Sequence, residues 1–255
     1  MISVQTPVSP SVSPYIALHY QHFPVEIFTD QNADMVPFWS GEGNLSYLVV
    51  NRDSREAFLI DPDLEILGSY LLTLNREALR LVAVIDTHTH AEHATAGPVL
   101  NQLFKIPYLM HHKAPASAVT ERILEDSERT IAGIQVGMMH TPGHTPDLMT
   151  LQIGEHLFTG DSLFNQSSGR TDLPGGNAHQ QYQSIHKIAE FPAHFRLHPG
   201  HDYNHQLSLS IAEVRAQNSR LGIAEPDAFA ALMKTHYASQ EKPDDLAYYL
   251  NVNTQ

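Results

Sequence analysis

Three histidines and one glutamate follow directly after a continuous apolar segment of the chain. Residues 81–85 are all apolar, which is typical of a strand that is buried on both faces. The chain then runs into His88, His90, Glu92 and His93 within six positions. A buried strand that ends in a tight loop can direct several neighbouring side chains toward one point. The pattern therefore predicts a metal site at the end of a strand.

Three later segments repeat this arrangement of an apolar strand followed by a ligand-type residue. They end in His144, Asp161 and His201, and each of these residues directly follows a glycine. Before His144 the pair Pro142-Gly143 predicts a turn that presents the imidazole. A single such segment is an ordinary turn. All four segments in this order favour a metal-binding enzyme, with the chemistry at strand ends and in loops.

Composition narrows the kinds of ligand and partner. The 255 residues include 17 histidines and no cysteine, which excludes disulfides, zinc ribbons, iron–sulfur clusters and thiol nucleophiles. A metal must then be held by imidazole and carboxylate groups, which suit zinc, iron or manganese. The formal net charge of -13 and the absence of a Lys/Arg cluster argue against a nucleic-acid partner.

The location of the protein is also predicted from the sequence. The chain has no apolar stretch of about 20 residues that could span a membrane. The N-terminal residues lack a basic start followed by an apolar core, so we expect a cytoplasmic protein without membrane attachment.

Strand and helix patterns alternate along the chain. Strands are predicted at 45–50, 57–60, 81–85, 106–110, 134–139, 148–158 and near 195, and helices at 64–79, 94–104 and 178–190. The polar stretch up to Thr130 is predicted to be helical, as is the tail from Asn204, interrupted at Gly222 and Pro226. We expect a flexible segment at 1–20, a core at 21–205 and a C-terminal helical extension at 206–255 packed on the same domain.

The ordered motifs resemble those of the metallo-β-lactamase superfamily. The order His-x-His-x-acid-His, then His, then Gly-Asp, then Gly-His spans about residues 40–205. The resemblance implies an α/β (α+β) fold, namely an αββα sandwich of two mixed β-sheets flanked by helices. The metal groove is expected at one edge of this sandwich.

Further segments indicate a branch of the superfamily. Segments 44–48, 60–62, 87–93, 141–146 and 159–161 resemble the glyoxalase II group. Segments 169–172, 200–203 and 215–221 are similar to glutathione-dependent persulfide dioxygenases, also called sulfur dioxygenases.

The resemblance to the dioxygenases implies specific roles for several residues. One Fe(II) would be held by His88, His144 and Asp161, and the substrates would be a low-molecular-weight persulfide and O2. Arg170 would bind a carboxylate of the thiol carrier, and Tyr203 would bind the reacting sulfur or oxygen. Arg170 beside an aspartate also fits a simple loop ion pair, and Tyr203 a packed ring. A homodimer is usual among the resembled enzymes.

The remaining motif residues fit a second site or groups around the first metal. These residues are His90, Glu92, His93 and His201. The superfamily usually has aspartate where this chain has Glu92, and glutamate is longer by one methylene, roughly 1.3–1.5 Å. The substitution therefore favours one iron over a pair of metals. His19, His22, His156, His179, His186 and His236 are expected on the surface or in packing roles.

Two other functions stay open at this stage. A zinc hydrolase, with one or two Zn(II), would cleave a glutathione thioester or open a lactone through a metal-activated hydroxide. A binding protein with a degraded site is favoured only by Glu92.

Overall fold

The computed structural model describes residues 27–30, 32–41, 43–124, 126–238 and 246–254. The segment 1–20, predicted to be flexible, lies outside these residues. Within them, no helix has the length and apolar character needed to cross a membrane.

The described residues form two mixed β-sheets. The first sheet has its strands in chain order: β1 (Phe28–Asp30), β2 (Ala33–Ser40), β3 (Asn44–Asn51), β4 (Glu56–Ile60), β5 (Arg80–Ile85), β6 (Tyr108–His111) and β7 (Glu121–Ile123). Strands β1 to β4 are antiparallel, and β4 to β7 are parallel. The turn between β3 and β4 is held by the Asn51 side chain, which accepts hydrogen bonds from the amides of Asp53 and Ser54.

The second sheet is built from the following strands: β8 (Ser127–Ile131), β9 (Ile134–His140), β10 (Met149–Ile153), β11 (His156–Gly160), β12 (Arg196–Pro199) and β13 (Leu209–Ser210). Their order across the sheet is β13-β12-β11-β10-β9-β8. Strands β11 and β12 are parallel, and the other neighbours are antiparallel. Because each sheet contains both pairings, the predicted sandwich of two mixed sheets is confirmed.

Helices cover the outer faces of the sheets. They are α1 (Leu67–Arg76), α2 (Gly97–Phe104), α3 (Ala178–Ala189), α4 (Ile211–Gln217), α5 (Pro226–Tyr237) and α6 (Leu246–Thr254). One apolar core lies between the sheets, a second lies under α1 and α2, and a third lies under α3, α4 and α5. Strand β5 joins two of them, since Ala83 and Ile85 enter the first core while Leu81 and Val84 enter the second. Its continuous apolar sequence follows from this double burial.

Several element predictions were wrong in detail. The polar stretch up to Thr130 contains β7 and β8 and is not helical. Each of these is an edge strand in which only the last residue is buried, so their sequences lack an apolar strand pattern. The strand predicted at 148–158 is a hairpin of two strands, β10 and β11. The predicted helical tail begins with a short strand, β13, and strands β1 and β2 were not predicted.

Candidate metal centre

The ends of four strands meet at one edge of the sandwich. The loop after β5 carries His88, and the loop after β9 carries His144. Asp161 directly follows β11, and His201 follows β12 by two residues. All four side chains are buried. The structure therefore brings together the ligand-type residues that lie at four separate places in the sequence.

Two glycines allow this close approach. Gly160 has φ +47°, and a Cβ atom there would lie 2.4 Å from the Thr87 hydroxyl oxygen. A Cβ atom at Gly200 would lie 2.6 Å from a carboxylate oxygen of Asp161. Any larger residue would displace the groups beside the ligands, which explains the glycine before Asp161 and before His201.

The orientation of His88 is fixed by a chain of hydrogen bonds from Asp61. The Asp61 carboxylate accepts from the Thr87 amide at 2.6 Å and from its hydroxyl at 2.8 Å. Because the Thr87 hydroxyl has donated its proton, it must accept from Nδ1 of His88, 2.9 Å away. The Nε2 atom of His88 then carries the lone pair. Burial, and secondarily the charge of the neighbouring His90, lower the pKa of His88 to about 4.

His144 is held in the same way by a backbone group. Its Nδ1 donates to the carbonyl of Arg170 at 2.7 Å, which leaves the lone pair on Nε2, 3.7 Å from Asp161 Oδ2. Among the residues that the structure describes, neither this Nε2 atom nor that of His88 has a hydrogen-bond partner. Two buried nitrogen lone pairs beside a carboxylate are suited to bind a metal ion. In each ring the other nitrogen, Nδ1, is held by a hydrogen bond, as is usual for histidines that bind metals.

The carboxylate of Asp161 has two different surroundings. Its Oδ2 faces His144, whereas its Oδ1 accepts from His201 Nδ1 at 2.8 Å. Burial alone would raise the pKa of Asp161, but chiefly the charge and the hydrogen bond of His201 lower it to about 2. The group is therefore a carboxylate at neutral pH. Asp161 in turn raises the pKa of His201 against the effect of burial.

His90 lies among acidic groups. Its Nδ1 is 3.1 Å from Glu92 Oε1, and its Nε2 is 3.4 Å from Asp61 Oδ1 and 3.9 Å from Asp86 Oδ1. Burial alone would lower the pKa of His90, but Asp61 and Glu92 raise it well above its usual value. This surrounding favours an imidazolium that pairs with acids over a nitrogen that binds a metal.

Glu92 belongs to two groups of residues that could hold a metal. One carboxylate oxygen of Glu92, together with one atom each from His88, His144 and Asp161, forms a group within 4.8 Å. Glu92 also forms a group with His90 and His93, and its Oε2 accepts from the Ala91 amide at 2.7 Å. Burial would raise the pKa of Glu92, but the hydrogen bonds of His90 and His93 lower it well below its usual value.

His201 stands apart from these groups. In the described part of the chain, none of the groups that could hold a metal includes His201. The four residues expected at a second site are therefore divided, since His90, Glu92 and His93 lie together and His201 pairs with Asp161.

A cavity of about 320 Å³ opens beside the ligands and contains two arginines. Arg170 binds the Asp172 carboxylate through two hydrogen bonds of 2.8 and 2.9 Å. This side of its guanidinium fork, Nε and Nη2, is therefore occupied within the loop. Arg220 is only 5% exposed, and among the described residues no carboxylate lies within ion-pair distance of it. No role for Arg220 is predicted from the sequence, although the segment 215–221 contributes to the resemblance.

Tyr203 separates this cavity from a second one. Its ring stacks on His201 at 5.3 Å and is 59% exposed. The second cavity, of about 640 Å³, is lined by Tyr203, Glu92 and His93 and by Tyr248 and Tyr249 of α6. Partial burial and the negative charge of Asp161 raise the pKa of Tyr203, so the phenol stays protonated at neutral pH.

Comparison with known proteins agrees with this architecture. The sequence profile of the metallo-β-lactamase superfamily matches residues 39–201, and the chain belongs to this superfamily of metalloenzymes. Within it, the chain is 32% identical over 182 residues to the mitochondrial persulfide dioxygenase ETHE1 of Homo sapiens, covering 70% of this chain and 72% of that protein.

Two further relatives bear on the reaction. The crystal structure of ETHE1 from Myxococcus xanthus superposes with a TM-score of 0.82 at 29% identity, covering 86% of this chain and 97% of that one. A probable hydroxyacylglutathione hydrolase of Schizosaccharomyces pombe is 28% identical over 208 residues, covering 77% of this chain and 80% of that protein. The chain thus resembles both dioxygenases and hydrolases.

Proposed function

We propose that the protein oxidises a low-molecular-weight persulfide with O2 at one Fe(II) held by His88, His144 and Asp161. The observation that carries this proposal is the convergence of two unpartnered Nε2 atoms on one carboxylate, while Asp161 Oδ1 is occupied by His201. Iron(II) bound by two imidazoles and one carboxylate keeps open positions for a substrate and O2. Overall, persulfide, O2 and water give thiol, sulfite and two protons.

The surrounding residues prepare the ligands before any metal binds. Asp61 and Thr87 fix the ring of His88, and the Arg170 carbonyl fixes the ring of His144. Both rings then present their basic nitrogen with no need to rotate or to change tautomer. Such fixed outer groups typically account for about 10- to 100-fold in metal affinity or activity.

Arg220 is the group best placed to bind an anionic substrate. It is a buried cation on the wall of the 320 Å³ cavity that also contains His144 and Asp161. A carboxylate of a glutathione-type persulfide would supply the acidic partner that Arg220 lacks among the described residues. Arg170 remains on the same wall, but Asp172 occupies its fork. We therefore assign the main anion contact to Arg220, with Arg170 in a supporting role.

Tyr203 would bind the substrate beside the metal site. Its phenol is protonated and lies on the boundary of both cavities, so it can donate a hydrogen bond to a substrate sulfur or oxygen. The similarity to the human persulfide dioxygenase ETHE1, and to ETHE1 from Myxococcus xanthus, supports the same reaction class.

A zinc hydrolase of a glutathione thioester is the second candidate. The observation that favours it is the separate group of His90, Glu92 and His93, which could hold another metal. The relative from Schizosaccharomyces pombe supports this class. Against it stands the position of His90 between Asp61 and Glu92, which favours an ion pair.

An oxygen-electrode assay separates the two reactions. Protein loaded with Fe(II) should consume one O2 for each glutathione persulfide and release sulfite, and it should leave S-lactoylglutathione intact. Hydrolysis of the thioester without O2 consumption would contradict the dioxygenase proposal.

The role of Arg220 is tested by Arg220→Met. We expect KM for the persulfide to rise about tenfold or more, as for the loss of a hydrogen bond to a charged group, while kcat changes less. The control is Arg215→Met, because Arg215 binds the carbonyls of Ala189 and Phe191 outside the cavity. Equal KM values in the wild type and Arg220→Met would refute this role.

A further inference from the structure

The C-terminal helix α6 is joined to the loop that follows β5 (residues 86–96, here called the metal-binding loop) by a buried side chain, Asn253. Its Oδ1 accepts from the Thr95 amide at 3.0 Å. Its Nδ2 donates to the carbonyl of His90 at 2.9 Å and to that of His93 at 2.8 Å. The side chain is 4% exposed. One amide group thus satisfies three backbone groups that lie about 160 positions away in the sequence.

The loop needs such external partners. Residues 86–96 form no helix or strand of their own, so their backbone groups are not paired within a regular element. At the start of the loop, Asp147 accepts from the amide and hydroxyl of Thr89. At its end, the Ala94 carbonyl accepts from the Leu64 amide at 2.8 Å. Asn253 holds the middle, where His90, Glu92 and His93 lie.

The same helix also borders the site. Tyr248 and Tyr249 of α6 line the cavity that contains Glu92 and His93. Helix α6 lies beyond residue 201, where the match to the superfamily profile ends. The metal-binding loop is therefore supported by a segment that this profile does not include.

We propose that Asn253 is a positioning residue that docks α6 on the metal-binding loop and so holds the loop in its metal-binding conformation. Without Asn253, the carbonyls of His90 and His93 lose buried partners and the loop gains conformations that bind the metal less well. The effect reaches His88 through the shared backbone. This inference depends on the metal centre, but it does not depend on which reaction the metal catalyses.

The first test compares Asn253→Ala with Asn251→Ala in full-length protein loaded with Co(II). Asn251 is on the same helix and is exposed. For Asn253→Ala we expect an altered visible absorption spectrum of Co(II) and loss of metal to a chelator that is faster by about 10- to 100-fold. Asn251→Ala should behave as the wild type. A folded Asn253→Ala protein with the wild-type spectrum and rate would overturn the proposal.

A second measurement needs no substitution. If docking of α6 strengthens metal binding, metal binding must strengthen the docking of α6 to the same extent. Co(II) should therefore slow hydrogen exchange at the backbone amides of 246–254 in the wild-type protein, as well as at Thr95. Unchanged exchange in α6 upon metal binding would overturn the proposal, even if Asn253→Ala failed to fold. Since Co(II) binding is measured without persulfide or O2, a failed dioxygenase assay would leave this result intact.

Discussion

Two pairs of buried histidines in this protein have opposite surroundings. His88 and His144 lie at the edge of the sandwich, where each ring has one nitrogen fixed by a hydrogen bond and the other facing Asp161 and Glu92. His156 and His198 lie side by side on β11 and β12, joined by a 2.7 Å contact between Nδ1 of His156 and Nε2 of His198.

The core pair is packed among aromatic rings. Phe28, Tyr47 and Phe158 lie within 4.5 to 5.7 Å of the His198 ring, measured between ring centroids. Burial, and secondarily the neighbouring His156, lower the pKa of His198 well below its usual value. Among the described residues, neither His156 nor His198 belongs to a group that could hold a metal.

The difference shows what makes a buried histidine functional in this fold. Burial and a neighbouring imidazole occur in both places, and each place has a histidine with a lowered pKa, namely His88 at the edge and His198 in the core. Of these two pairs, only His88 and His144 have an Nε2 atom that is close to carboxylates and unpartnered among the described residues. They lie where four strands end, and there the loops can direct side chains from four segments toward one point. Inside the sandwich, strand neighbours are other packed side chains.

The largest expected effect is the loss of metal in Asp161→Ala. Removing the carboxylate that lies beside Nε2 of His144 and accepts from His201 should reduce the metal content to less than about a tenth of the wild-type value and abolish activity. The control is Asp227→Ala, because the Asp227 carboxylate is exposed and pairs with His179 away from the site. Full metal content in Asp161→Ala would contradict the claim that the nearby carboxylate makes His88 and His144, unlike His156 and His198, a metal site.

A smaller effect is expected for Glu92→Asp. The shorter carboxylate cannot reach both the Ala91 amide and His90 as Glu92 does, so the ion pair that occupies His90 should weaken. We expect affinity for a second Zn(II) to increase by about tenfold, as for a change in groups around a metal. Isothermal titration calorimetry with Zn(II) would measure the affinity for this second ion. A variant that still binds one Zn(II) as the wild type does would show that Glu92 is not what limits the second site.

The smallest effect concerns His198 and pH. Because its folded pKa lies below the ordinary value of about 6.5, the unfolded chain binds the proton more readily, and stability is lost as pH falls below about 6.5. His198→Phe should remove up to about 1.4 kcal/mol of this loss per pH unit. Urea unfolding of the metal-free proteins between pH 7 and 5 would show a shallower slope for the variant. Its metal content should match the wild type, unlike that of Asp161→Ala.

Sequence alone predicted the parts of the fold that are encoded locally. The apolar run 81–85 indicated a doubly buried strand because it faces two cores. Edge strands β7 and β8 were missed because only their last residues are buried. At the site, the motif order indicated His88, His144, Asp161 and His201, since each directly follows a strand or its turn.

Other parts of the site depend on contacts that a single sequence does not show. Asn253 meets Thr95 and His93 only because the chain returns after about 160 residues. The buried position of Arg220 depends on the packing of α5 beside it. That Asp172 occupies the fork of Arg170 was an open alternative in the sequence, and the structure shows this ion pair.

The proposed iron site is tested most directly by the metal stoichiometry of the protein purified without added metal, measured together with O2 consumption. A single site at His88, His144 and Asp161 predicts one iron per chain and O2 consumption with glutathione persulfide that scales with the iron content. Two zinc ions per chain, with no O2 consumption after iron loading, would contradict it.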